Sequence, residues 1–145
     1  MYKNILAAVD GTVHGTAVLD AVAFLAKASG ATVHVVHIRP LQVVGGAFVL
    51  STVNSVEEDG DGQLVVDEAL ARLRGEGIAA EGEVDDGLRE DLAEILVDRS
   101  RALGSDLIVV GPGHYGGISA LLHSSVSRGV ARIAPASVLL VHSEA

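Results

Sequence analysis

The chain of 145 residues contains no cysteine, and only 3% of its residues are aromatic. The absence of cysteine excludes a disulfide, a thiolate metal site and a cysteine nucleophile. Because 49% of the chain is nonetheless hydrophobic, its interior must consist mainly of valine, leucine, isoleucine and alanine. Interiors of this kind are typical of parallel strands that are covered on both faces.

The sequence also lacks a long apolar run and a basic region. Residues 1–11 (MYKNILAAVDG) carry too short an apolar run for a secretory signal, and no stretch approaches the roughly 18 apolar residues of a membrane span. The net charge is −9, and 16 of the 19 acidic residues lie within residues 57–106. Non-specific nucleic-acid binding needs a basic surface instead. We therefore expect one cytoplasmic domain over residues 1–145, with no nucleic-acid or membrane partner.

Five apolar runs alternate with helical patterns along the chain. The predicted strands are residues 4–9, 32–38, 78–84, 105–110 and 137–142. Between them, apolar residues recur at spacings of three and four, as in Val18, Val22 and Leu25, which is typical of amphipathic helices. The other helical patterns are Val66-Leu70-Leu73, Leu88-Leu92-Ile95 and Val126-Val130-Ile133. The alternation predicts a three-layer, doubly wound α/β fold of the Rossmann type, an open sheet with five mostly parallel strands and four helices.

Residues 39–61 interrupt this alternation. They include Gly45-Gly46 and the acidic run Glu57-Glu58-Asp59, without clear periodicity. A connection of this length is either a lid over a ligand or a variable excursion. We favour the excursion, because loops vary more than the elements that they connect.

Histidines and acidic residues are the candidate metal ligands in this chain. His34 and His37 lie three apart on a predicted strand and so point to opposite faces. Asp85-Asp86 with Glu90-Asp91 could bind Mg²⁺, but we interpret them as the solvated start of a helix, where the dipole stabilises negative charge. The sequence therefore predicts no metal ligand.

Two polar turns follow predicted strands. The segment Gly111–Ser127 (GPGHYGGISALLHSSVS) is a glycine-rich turn that ends in Ser-Ser ahead of a helix, an arrangement that holds phosphate groups. Asp10-Gly11-Thr12 follows the first strand. In open α/β sheets, ligands bind beyond the carboxyl ends of the strands where the strand order reverses. If the first and fourth strands are neighbours, a carboxylate for ribose or adenine and backbone donors for phosphate face one crevice.

These fragments together resemble the universal stress protein family. The resemblance covers nearly the whole chain, through YKNILAAVDGT, VHVVHI, DLIVVG, the glycine-rich turn and the closing VLLVH. It implies the strand order 3-2-1-4-5 and a nucleotide crevice between strands 1 and 4. The family aspartate that holds adenosine falls on Asp10, and the apolar positions that pack on the base fall on Ala8, Ile38 and Val110. The loop positions fall on Gly111, His114, Ser124, Ser125 and Val126, and Gly113 retains backbone freedom between them.

The loop departs from the family pattern at two positions. The pattern is a glycine, two residues, a glycine, nine residues, then Gly-Ser or Gly-Thr, and here His114 and Ser124 replace the second and third glycines. His114 in a left-handed conformation costs of order 1 kcal/mol, and its imidazole either bonds a phosphate or fills its place. Ser124 is a good helix N-cap whose N–H stays available to an anion. The resemblance thus implies a regulatory protein that binds ATP or AMP, with Mg²⁺ only beside ATP. The alternative is a dimeric interaction module that has lost nucleotide binding.

An enzyme is the less favoured hypothesis. Nucleotide-dependent transferases of the related fold carry an early His-x-Gly-His signature, whereas the first turn here, DGTVHG, holds only His14. There is no G-x-S-x-G elbow and no general base near the proposed phosphate site. We predict no catalytic residue; slow ATP hydrolysis or self-phosphorylation on Ser124 or Ser125 is implied by the resemblance alone.

The closing strand indicates how two copies of the chain would associate. Residues Val138 to Val141 are apolar and end the predicted sheet, and an unprotected edge of this kind invites pairing with another chain. Family members dimerise through this strand. The resemblance and the physical argument therefore predict the same homodimer.

Overall fold

A mixed sheet with helices on both faces organises the chain. The computed structural model describes residues 1–11, 13–44, 52–55, 60–88, 91–111 and 128–142. The strands are β1 (Asn4–Ala8), β2 (Thr32–Val44), β3 (Thr52–Ser55), β4 (Ala80–Leu88), β5 (Leu107–Val110) and β6 (Ser137–Leu140). The helices are α1 (Val13–Ser29), α2 (Asp61–Gly75) and α3 (Leu92–Leu103), and residues 128–133 are also helical. Among the described residues, no helix has the length and apolar character that crossing a membrane requires.

The parallel strands lie in the order β4-β2-β1-β5-β6. In the numbering of the predicted strands this order is 3-2-1-4-5, so the predicted doubly wound fold is confirmed. The strand order reverses between β1 and β5, because the chain moves outward from β1 to β2 and β4 on one side and from β5 to β6 on the other. The carboxyl ends of β1 and β5 are therefore neighbours at the edge where ligands bind in such sheets.

The alternation of side chains along the central strands divides the core between the two faces. Ile5 and Ala7 of β1 pack in one cluster with residues of α1 and α2. Leu6 packs on the other face with residues of α3 and with Val130. Since both faces are covered, the central strands are hydrophobic almost throughout, as the valine-rich composition predicted.

The interpretation of residues 39–61 as an irregular excursion is wrong in part. β2 continues to Val44, and β3 pairs with it antiparallel, from Leu41↔Ser55 to Val44↔Thr52. Pro40 lies within β2 but beyond the end of β1, where β2 is no longer flanked by β1, and proline is tolerated there. Gly45-Gly46 and the acidic run at 57–59 lie outside the described residues.

The prediction of a helix start at Asp85-Asp86 is also wrong. Both residues lie within β4, which pairs with β2 as far as Leu41↔Leu88. Leu88 fitted a helical spacing, but its pairing across the sheet overrides that local pattern, and α3 begins only at Leu92. Arginine side chains bond both carboxylates, Arg99 that of Asp85 and Arg39 that of Asp86.

Candidate functional site

Three predicted site residues converge at the carboxyl edge of the sheet. Ala8 ends β1, Ile38 lies in β2 and Val110 ends β5. Ile38 and Val110 belong to the core cluster on the α3 face, and Ala8 packs against the same cluster. The structure therefore brings the three together beside the point where the strand order reverses. Their role in binding stays a prediction.

Asp10 and Gly11 form the turn that leads from β1 into α1. Gly11 has a φ of 76°, in the left-handed region. A Cβ placed on Gly11 would lie 2.8 Å from Cγ2 of Val65, so the turn lies directly against α2. Oδ1 of Asp10 lies 3.1 Å from the position that a Cβ of Gly15 would occupy. The half-buried carboxylate of Asp10 thus lies over the first turn of α1, where the helix dipole favours negative charge.

Gly15 packs against Asp10, a contact that the sequence reasoning missed. A side chain here would crowd both the carboxylate and the backbone nitrogen of Asp10, the latter 3.3 Å from the added Cβ. The spacing of five residues between Asp10 and Gly15 was the available signal. This spacing is too common in proteins to indicate a contact unless the structure is known.

A buried histidine holds the end of β1. Nδ1 of His37 lies 2.8 Å from the carbonyl oxygen of Val9, and the side chain is fully buried. Because a carbonyl oxygen can only accept, Nδ1 carries the proton and donates it. This role of His37 was not predicted, because no local pattern in the sequence shows which atom a buried imidazole will bond. His34 lies on the opposite face, as predicted, beside Glu83.

The loop side of the predicted crevice begins at Gly111, which is half-buried and follows Val110 directly. The N–H of Val141 donates to the carbonyl of Val110 at 2.8 Å and ties the end of β6 to this edge. The other predicted loop positions lie outside the described residues: Gly113, His114, Ser124, Ser125 and Val126.

Arginines neutralise the acidic pair of β4 on both faces of the sheet. Arg39 donates to Asp86 from Nε at 2.6 Å and from Nη2 at 2.9 Å. These hydrogen bonds, with the positive charge, hold the pKa of the Asp86 carboxyl below its ordinary value. Nη2 of Arg99 donates to Asp85 at 2.7 Å, and this bond and the nearby carboxylates raise the pKa of Arg99. Among the described residues, no group of three or more histidine or acidic side chains is placed to hold a metal ion.

A cleft of about 300 Å³ separates α1 from α2 beneath the turn after β1. Gly11 and Gly15 line it from the α1 side, and Val65 and Ala69 from α2. Val9 forms part of its floor, and Val9 belongs to the core cluster on the α1 and α2 face. This cleft is therefore on the opposite face of the sheet from Ile38 and Val110.

Comparisons with known proteins agree over nearly the full length. The sequence model of the Universal stress protein family matches residues 1–142. Universal stress protein YxiE of Bacillus subtilis (strain 168) is 28% identical over 152 residues, which cover 97% of this chain and 99% of that protein. A crystal structure of a universal stress protein in complex with cAMP superposes with a TM-score of 0.71 and 22% identity, covering 99% of this chain and 98% of the other. The universal stress protein of Archaeoglobus fulgidus in complex with dAMP gives a TM-score of 0.67 and 24% identity, with 97% and 98% covered.

Proposed function

This chain belongs to the universal stress protein family, and we propose that it is a regulatory protein that binds an adenine nucleotide, ATP or AMP, between the carboxyl ends of β1 and β5. The observation that carries the proposal is that Ala8, Ile38 and Val110 come together where the strand order reverses, with Asp10 two residues beyond Ala8 in the turn after β1. Apolar side chains suit a purine base, and a carboxylate accepts hydrogen bonds from ribose hydroxyls or an adenine amino group. The complexes of two structural relatives with cAMP and dAMP support a nucleotide of this class.

The phosphate end of the ligand would be bound by the loop that begins at Gly111. In our proposal the backbone N–H groups of this loop, with Ser124 and Ser125 at the start of the next helix, hold the phosphate. Mg²⁺ would accompany ATP and not AMP. In this proposal the protein binds the nucleotide as a signal and does not turn it over.

Calorimetric titration tests this function. A separate sample of the purified protein is first denatured and its supernatant chromatographed, so that nucleotide carried through purification is detected before the titration. We expect micromolar binding of AMP or of ATP with Mg²⁺, and much weaker binding of GMP, which differs from AMP only in the base. If neither adenine nucleotide binds at millimolar concentration, nucleotide binding is excluded and the alternative, a dimeric interaction module, takes its place.

We further propose that two copies associate through β6. β6 ends the sheet, and no strand among the described residues pairs with its outer edge. Leu139 and Leu140 are 36% and 40% exposed on this strand, and Ile133 in the preceding helical segment is 37% exposed. Pairing with the β6 of a second copy would bond the free backbone groups of the edge and cover these side chains.

Leu139→Lys is expected to convert the dimer to monomer, because it places a positive charge from each copy at the shared edge. Sedimentation equilibrium at several micromolar concentrations measures the result. Leu64→Lys is the matched control, since Leu64 is 57% exposed on α2, far along the chain from β6. A monomeric native protein, or a Leu139→Lys variant as dimeric as the control, would rule out this interface.

A further inference from the structure

We infer that His37 is a positioning residue for the nucleotide site: its buried imidazole holds the turn that presents Asp10. The inference rests on the proposed function for the identity of the ligand. The geometry behind it does not, because Nδ1 of His37 donates to the carbonyl of Val9 at 2.8 Å, and Val9 directly precedes Asp10.

This hydrogen bond lies at the point where the chain leaves the sheet after β1. The paired register of β1 and β2 ends at Ala8↔Val36, and the N–H of Val9 still donates to the carbonyl of Val36 at 3.0 Å. The chain must then turn away so that α1 can begin at Val13. A buried carbonyl needs a donor, and the imidazole of His37 supplies one from β2 at the point where the turn starts. The direction in which the chain departs, and with it the place of Asp10, therefore depends on this side chain.

α2 holds the imidazole ring in place from the other side. A Cβ placed on Gly62 would lie 3.0 Å from Cδ2 of His37 and 3.1 Å from Cγ1 of Val84. Gly62 is itself buried in the first turn of α2. The helix thus closes over the ring and restricts its rotation, so that Nδ1 stays directed at Val9.

Removal of the donor alone would affect the ligand through the turn. A buried carbonyl without a partner is unfavourable enough to make the chain reorganise towards water. Asp10 would move with Val9, because the two are adjacent. His34 cannot take over the role, since its side chain lies on the opposite face beside Glu83.

Two substitutions at His37 separate the donor from the bulk of the ring. His37→Leu removes the N–H and keeps an apolar side chain, whereas His37→Asn carries an amide N–H at the same number of bonds from the backbone as Nδ1. We expect His37→Leu to weaken AMP binding about 10-fold and His37→Asn to recover most of that loss, both measured by calorimetry on samples shown to be folded by circular dichroism. Equal affinities for the two variants would show that only the packing of the ring matters, and would overturn the positioning role.

A double-mutant cycle tests whether His37 acts through Asp10. In an Asp10→Ala background, His37→Leu should cause less than about a twofold further loss, because the group that it positions is gone. Fully additive losses would contradict the inference. Gly62→Ala serves if His37→Leu does not fold, since its Cβ presses on the imidazole and should weaken AMP binding while His37 is retained.

Amide hydrogen exchange without ligand distinguishes failure of this inference from failure of the proposed function. His37→Leu should speed exchange at the turn, measured at Gly11 and Gly15, and His37→Asn should restore slow exchange. That pattern in a protein that binds no nucleotide would refute the proposed function and leave the positioning role intact. Unchanged exchange in the leucine variant would refute the positioning role whatever the protein binds.

Discussion

Replacement of Gly11 with alanine is expected to lower the free energy of unfolding by about 2–5 kcal/mol. At a φ of 76° a Cβ clashes with the backbone of its own residue, which costs roughly 1–2 kcal/mol. The same Cβ would lie 2.8 Å from Cγ2 of Val65, and insertion of a methyl group into a packed contact costs a further 1–3 kcal/mol or so. Urea unfolding at matched protein concentration measures the change through a shift in midpoint at constant slope.

Gly30→Ala is the control that isolates the backbone contribution. Gly30 has a similar φ of 71°, but nothing lies within 4 Å of its added Cβ. This variant should therefore lose only about 1–2 kcal/mol. Val65 borders the cleft between α1 and α2, which gives its side chain some room to yield. If Gly11→Ala costs no more than Gly30→Ala, the contact with Val65 is not restrictive and the packing argument is wrong.

Replacement of Asp10 with alanine is expected to weaken AMP binding by about 1–3 kcal/mol, or roughly 5- to 150-fold. In the proposed complex the carboxylate accepts one or two hydrogen bonds from the nucleoside, and alanine accepts none. Calorimetric titration of folded protein gives the dissociation constants. Asp10→Asn keeps one oxygen acceptor and should fall between the native protein and the alanine variant.

Asp98→Ala is the matched control for charge. Its side chain is 75% exposed on α3, so the substitution removes the same negative charge without touching the crevice. Affinity in this variant should stay within about twofold of native, because the Asp98 carboxylate is exposed and its charge is screened by salt. A dissociation constant unchanged by Asp10→Ala would rule out the crevice between β1 and β5 as the binding site.

The layered fold could be predicted from local patterns, because the central strands are continuous apolar runs that alternate with segments of helical spacing. The apolar run Leu107–Val110 is buried throughout, as expected for a central strand covered on both faces. The strand order came with the family resemblance. The extension of β2 and the pairing of β3 could not be foreseen, since Pro40 is locally a strand breaker and only the early end of β1 makes it acceptable.

The position of the site could be predicted from the sequence, but the long-range contacts around it could not. Ala8 and Val110 follow from the rule that neighbouring parallel strands end at the same edge. The bond from His37 to Val9 depends on the angle at which β1 leaves the sheet, and periodicity carries no information about that angle. Likewise, Asp86 and its partner Arg39 are 47 residues apart, so no local pattern shows that this carboxylate is paired with an arginine.

The open edge at β6 also determines how two binding sites would be arranged. β6 runs parallel to β5, and β5 runs parallel to β1. Antiparallel pairing of two β6 strands would join the two sheets into one, with the two β1 strands about 24 Å apart and pointing in opposite directions. The two crevices would then open at opposite margins of the joined sheet and share no side chain. Neither copy would complete the site of the other, and a partner that recognises both bound nucleotides would have to reach across the whole dimer.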